Sequence, residues 1–129
     1  MTTNVKPAFT NDFLIANKSN PGIIELPSGL QYQVTKEGSG SKPNVFSKVT
    51  CNYTGHLTTG QIFDQSKKPI SFPLNQVIAR WQEGLQLMSV GSIYRFFIHP
   101  QLGYGNRQVG NFIKPGSTLI FEVELLSFY

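Results

Sequence analysis

The stretch VIARWQEGLQLM, residues 77–88, holds the chain's only tryptophan and decides how the rest can fold. Ile78, Trp81, Leu85 and Met88 follow at steps of three, four and three. A helix over 77–88 would gather them into one apolar stripe and leave Arg80, Gln82, Glu83 and Gln86 for water. One amphipathic helix needs a surface to cover that stripe. Most of the remaining sequence alternates apolar and polar residues between turn-forming breaks, so the expected cover is a β-sheet lying across the helix, an α+β arrangement. Trp81 then falls at the sheet-helix boundary, either as core filler or as the floor of an apolar pocket.

Reading outward toward the N-terminus, residues 61–66 and 70–73 are two short extended pieces around a turn of Lys67, Lys68 and Pro69. Val49, Cys51 and Tyr53 alternate with Thr50, Asn52 and Thr54 as far as Gly55, and Leu30, Tyr32 and Val34 alternate with Gln31, Gln33 and Thr35 as far as the Gly38, Ser39, Gly40 turn. Ahead of Pro21 and Gly22, Phe9, Phe13 and Ala16 can line a two-turn helix opened by Thr10 or Asn11. A helix that short is marginal alone. The expected division is an N-terminal extension over 1–22, a short helix or disordered, and a folded domain over 23–129.

Toward the C-terminus, Gly91 ends the helical region and 92–99 is apolar on both faces, the pattern of a central strand covered on both sides. Residues 101–116 form a sixteen-residue connection with four glycines and the aromatic residues Tyr104 and Phe112, a length that marks functional or disordered loops. The last strand, about 117–127, turns Leu119, Phe121, Val123 and Leu125 to one face and Glu122 and Glu124 to the other.

Composition excludes several function classes. At 129 residues the chain has room for a single core. Its net charge of +4 is scattered, with Lys67 and Lys68 the only adjacent basic pair, and no basic stripe marks a nucleic-acid footprint. Cys51 is alone, so neither an internal disulfide nor a cysteine zinc site can form; it shares a strand face with Tyr53, as a small buried packing group would. No run spans a membrane, and none resembles a secretory signal. The expected compartment is therefore cytoplasmic, or periplasmic or secreted if the native start has been replaced. His56 and His99 have no metal-ligating neighbour at useful spacing, and no nucleophile elbow, P-loop or dinucleotide fingerprint is present. Any chemistry must proceed without covalent, metal or cofactor assistance. One carboxylate stands out: Asp64 follows Phe63 in an apolar piece, either as an edge-strand or turn aspartate bonding nearby backbone or as an acceptor at the rim of an aromatic pocket.

Seven segments in order then carry a resemblance. They are LPSGLQY at 26–32, YTG at 53–55, a Gly-x-x-Phe-Asp arrangement ending in Phe63 and Asp64, the Val77, Ile78, Trp81 helix, VGS at 90–92, GYG at 103–105 and STLIFEVELL at 117–126. Together they resemble FK506-binding-protein (FKBP)-type peptidyl-prolyl cis/trans isomerases, over about residues 23–129. The lead-in FLIANKSNPGIIELPSGLQY is similar to the domain entry of the bacterial Mip and FkpA branch. The resemblance implies a curved antiparallel sheet wrapped around one short helix.

It also implies pocket residues Tyr53, Phe63, Asp64, Val77, Ile78, Trp81, Tyr104 and Phe121, with Phe72, Phe112 and Ile113 adjoining, and Trp81 as the floor. The implied activity is rotation of Xaa-Pro bonds in protein substrates, as a folding helper. Asp64, Tyr53, Phe63, Trp81, Tyr104 and Phe121 would act in catalysis, and the Ile78 N–H and the Tyr104 hydroxyl would grip substrate carbonyls. Implied partners are proline-containing peptides and FK506- or rapamycin-type inhibitors. The alternative is a binding module of chaperone-like role that holds proline peptides or macrolides without turnover. Lacking the long N-terminal helix of the branch, the chain is expected to be a monomer. Where the family commonly has Gly before the Trp, this chain has Arg80. If that position required positive φ, Arg80 would be strained; in an ordinary first helical turn it would point outward. Ile70 replaces an aromatic residue that some members carry at the rim.

Overall fold

In a computed structural model of the chain, which describes residues 12–99 and 118–129, the period-two segments form one antiparallel sheet. Its strands are β1 (Ile23–Glu25), β2 (Gln31–Lys36), β3 (Lys48–His56), β4 (Ile62–Gln65), β5 (Ile70–Pro73), β6 (Ile93–Ile98) and β7 (Leu119–Phe128). They run in the order β1-β2-β6-β7-β3-β4, and β5 pairs with β3 on the same side as β4. Helices α1 (Asp12–Asn17) and α2 (Ala79–Leu85) lie outside the sheet.

Alternation sets the faces. On β7, Leu119, Phe121, Val123 and Leu125 are buried, while Glu122 and Glu124 are only half-buried. The inward residues of β3, β6 and β7 pack with Trp81, Leu85 and Met88 into one core. Among the glycines, Gly84 matters here: a Cβ on it would stand 2.6 Å from the Phe96 ring, so its absence lets α2 settle onto the sheet.

The helix is shorter than the stripe that announces it, seven residues from Ala79 to Leu85. Val77 and Ile78 are extended, at φ −103°, ψ 173° and φ −58°, ψ 150°, because a 3-10 turn over Leu74–Gln76 delivers the chain to the helix. Beyond Leu85 the bonds tighten to i→i+3, from Leu87 N–H to the Gly84 carbonyl and Met88 N–H to that of Leu85. Seven residues cannot sustain a helix in water, so burial of the stripe holds α2 in place.

Strand β6 is covered on both faces. Tyr94, Phe96 and Ile98 join the main core, and Phe97 on the other face joins Ile120 and Leu14 of α1 in a second cluster. Leu14, fully buried, occupies the place expected for Ala16, which is exposed; Phe9 lies outside the described residues. Helix α1 is also anchored by Gln31, whose side chain is expected on the outer face and is completely buried there. Gln31 Nε2 donates to the Leu14 carbonyl (2.8 Å) and to Glu25 Oε2 (3.0 Å), and its Oε1 accepts from Asn17 Nδ2 (2.8 Å). Each of these groups thereby escapes the penalty of an unpaired buried polar atom. No helix among the described residues is long and apolar enough to cross a membrane.

Candidate active site

Strands β3, β4, β5 and β7 and the entry to α2 converge on a cavity of about 400 Å³, lined by Tyr53, Asp64, Ile70, Phe72, Gln76, Val77, Ile78, Trp81 and Phe121. Each lining group arrives by a local rule. Tyr53 and Phe121 are inward positions of β3 and β7. Phe72 is inward on β5, opposite Val49. The 3-10 turn and the extended Val77–Ile78 pair carry Gln76, Val77 and Ile78 to the rim ahead of Trp81.

The rings pack mostly edge to face. Tyr53 meets Trp81 at 5.2 Å and 89°, Phe121 meets Trp81 at 5.1 Å and 85°, and Phe72 meets it at 5.8 Å and 55°. These separations favour the positive ring edge against the negative ring face. Trp81 is 7% exposed, so it serves as both core and pocket floor. Phe63, half-buried, is not among the described residues that line this cavity; it packs edge-on against Phe121 at 5.5 Å and 85°. Gly55 makes that possible, since a Cβ there would stand 2.8 Å from both the Phe63 and the Phe121 rings.

One carboxylate enters this apolar surface. The Tyr53 hydroxyl donates to Asp64 Oδ2 (2.8 Å), and Asp64 Oδ1 accepts from the Gln65 N–H (2.8 Å). Asp64, on the edge strand β4, thus bonds backbone and serves as a pocket acceptor at once, and it fixes the direction of the Tyr53 phenol. Tyr53 is held by its backbone as well. Between β4 and β5, Ser66 takes the place of a strand partner: its Oγ accepts from the Tyr53 N–H (2.9 Å) and its N–H donates to the Tyr53 carbonyl (3.0 Å). At the rim the Ile78 N–H, first of the donors at the start of α2, meets no acceptor among the described residues.

Arg80 is strain-free, since Lys67 is the only non-glycine residue of positive φ among the described residues. Its guanidinium runs along α2 to Glu83 Oε1 (3.0 Å), an oxygen that also accepts from Ser28 Oγ (2.7 Å), so the charge turns toward the β1–β2 turn and away from the cavity. Cys51 is fully buried two residues from Tyr53, and burial pushes its thiol up to about 12, which suits packing and excludes a nucleophile.

Tyr104, Phe112 and Ile113 lie outside the described residues. Two lining residues escaped the sequence reading of the pocket. Gln76 sits in a 3-10 turn with no periodic signal, and Ile70 shows in the sequence only as a departure at the rim.

With that geometry in view, the comparisons decide the family. Residues 39–126 match the family model described as FKBP-type peptidyl-prolyl cis-trans isomerase. The chain belongs to that family. Residues 4–34 match a second model, the domain amino-terminal to FKBP-type peptidyl-prolyl isomerase. A relative named outer membrane protein MIP, from Legionella longbeachae, is 49% identical over 118 residues, 89% of this chain and 51% of that protein. FK506-binding protein 1 of Dictyostelium discoideum is 45% identical over 105 residues, 78% of this chain and 98% of that protein. The crystal structure of a peptidyl-prolyl cis-trans isomerase from Pseudomonas syringae pv. tomato superposes with a TM-score of 0.85 at 37% identity, covering 90% of this chain and 87% of that one. The chain spans about half the length of its bacterial FKBP relatives. The expected family and the curved α+β architecture are therefore both correct.

Proposed function

We propose that this chain catalyses cis/trans isomerisation of Xaa-Pro bonds in flexible protein segments, and that FK506- or rapamycin-type macrolides compete for the same cavity. The observation that carries this reading is an apolar cavity of about 400 Å³, floored by Trp81 and walled by Tyr53, Phe72 and Phe121, with a single carboxylate at its edge. Rotation of an Xaa-Pro bond faces a barrier of about 18–20 kcal/mol, most of it amide resonance, and takes tens to hundreds of seconds unaided. Planar amides are the more dipolar form and are favoured by water. An aromatic cavity withdraws that water and so favours the twisted amide, and each ~1.4 kcal/mol of selective stabilisation is tenfold in rate.

In this mechanism the proline ring rests on Trp81. The Ile78 N–H takes a substrate carbonyl beside the rotating bond. Asp64 orients the Tyr53 phenol through their 2.8 Å bond, and no proton needs to be transferred. Phe63 acts through Phe121, by keeping the wall upright. The test is an isomerisation assay on a short Xaa-Pro peptide series, with FK506 titrated and Asp64→Ala compared with wild type. Drug-sensitive turnover that drops in the variant at unchanged Tm supports the reading. A folded chain that binds the drug and leaves isomerisation at the uncatalysed rate refutes it.

A further inference from the structure

The peptide unit between Val77 and Ile78 carries, at one end, the rim N–H that meets no acceptor among the described residues. At its other end, the Val77 carbonyl accepts from Gln82 Nε2 at 2.8 Å. Gln82 stands on α2 among the residues the sequence assigns to water, yet its side chain turns back along the helix to this carbonyl. Nothing else among the described residues bonds that peptide plane. Val77 lies just outside the 3-10 turn, Ile78 just outside the helix, and Ile78 has no side-chain cap. The bonds nearest to it are on either side: Val77 N–H to the Leu74 carbonyl (3.4 Å), and the Ile78 carbonyl with the N–H groups of Trp81 (3.0 Å) and Gln82 (3.1 Å).

A trans peptide points its C=O and N–H in opposite directions, and none of the described bonds is cis. Fixing the carbonyl toward Gln82 therefore fixes the N–H the other way, and a hydrogen bond accepted at the oxygen polarises the N–H and makes it a better donor. We propose that Gln82 is a positioning residue for substrate binding, holding the Val77–Ile78 peptide so that the Ile78 N–H is aimed at a substrate carbonyl. This rests on the isomerase reading of the cavity. It adds a residue that lies outside the cavity lining and acts only through the backbone.

The substrate carbonyl is gripped in ground and transition state alike, so loss of aim appears in KM and leaves kcat nearly unchanged. Gln82→Leu should raise KM for an Xaa-Pro peptide by roughly two- to twelve-fold, the worth of one neutral hydrogen bond. Gln82→Glu adds a signature that packing cannot imitate. Its protonated carboxyl can donate to the Val77 carbonyl, but its carboxylate repels it, so the ratio of its KM to that of Gln82→Leu, in which the Asp64 contribution cancels, should climb as pH rises through about 4–6. A protease-free fluorescence assay reads all three proteins. In the free protein, the Ile78 amide proton resonance should move upfield in Gln82→Leu. If wild type turns over while Gln82→Leu keeps the wild-type KM and Ile78 resonance, the positioning role is wrong. If wild type shows no turnover, the isomerase reading fails separately, and the Ile78 resonance still decides whether Gln82 governs that peptide.

Discussion

Gly55 lies on β3 between Asp64 of β4 and Phe121 of β7, and replacing it with alanine drives an atom into the pocket wall. The new Cβ would stand 2.8 Å from Phe121 Cε1, 2.8 Å from Phe63 Cζ and 3.1 Å from Phe121 Cδ1. Carbon pairs settle at about 3.5–4.0 Å, so each ring must retreat by roughly 0.7–1.2 Å. Phe121 has little room to retreat, being 3% exposed and already edge-on to both Trp81 and Phe63, whereas Phe63 is half-buried. Overpacking of this kind costs about 1–3 kcal/mol, which for a domain of this size lowers Tm by roughly 4–15 °C. The displaced Phe121 also tilts across Trp81 and narrows the cavity, so kcat/KM for an Xaa-Pro peptide should fall beyond the loss of folded protein. Gly55→Ala combined with Phe63→Leu removes one of the two clashing rings and should recover part of both losses. Thermal melts by circular dichroism and the isomerisation assay measure the pair. A Gly55→Ala protein with wild-type Tm and turnover, or a double variant whose losses simply add, would refute this account of the wall.

Two further predictions concern groups away from the pocket. The Glu37 carboxylate accepts from Ser92 (2.9 Å), Ser89 (3.0 Å) and Tyr94 (3.2 Å), and the Ser92 bond, then the Ser89 bond, hold it below its ordinary value of 4.5. A carboxylate depressed in the folded state contributes stability that is present above its unfolded value and lost as pH falls through the folded one. Between about pH 6 and pH 3, wild type should therefore lose Tm more steeply than Glu37→Gln, and parallel pH profiles would dismiss the latch. Cys51, buried and raised to about 12, should resist a disulfide thiol reagent in the native protein and react fully in denaturant. Rapid native labelling would contradict its burial.

The sequence by itself determined most of the fold, because most of its elements rest on a local pattern. Period-two alternation set the faces of β3 and β7; on β2 the same pattern misleads, since Val34 is exposed and Gln31 is buried beneath α1. The run of residues 92–99, apolar on both sides, announced a strand covered twice. What covers its second face was not legible: Leu14 takes the place expected for Ala16 because Phe97 and Ile120, distant in sequence, offer it an apolar seat while Gln31 bonds the Leu14 carbonyl. The aromatic members of the site carried their own signal in residue type and order, and so did Asp64 beside Phe63.

Tertiary structure alone decided the roles that depend on which atoms meet. It set Phe63 edge-on against Phe121, and turned Arg80 toward Glu83 and Ser28. It ended the helix two residues short of Val77, freeing the Ile78 N–H, and brought Gln82 back onto the Val77 carbonyl. The stripe reports which face is buried, a property of spacing. Where the first helical bond forms depends instead on the 3-10 turn that feeds α2 and on the sheet beneath it, through contacts that no local pattern encodes.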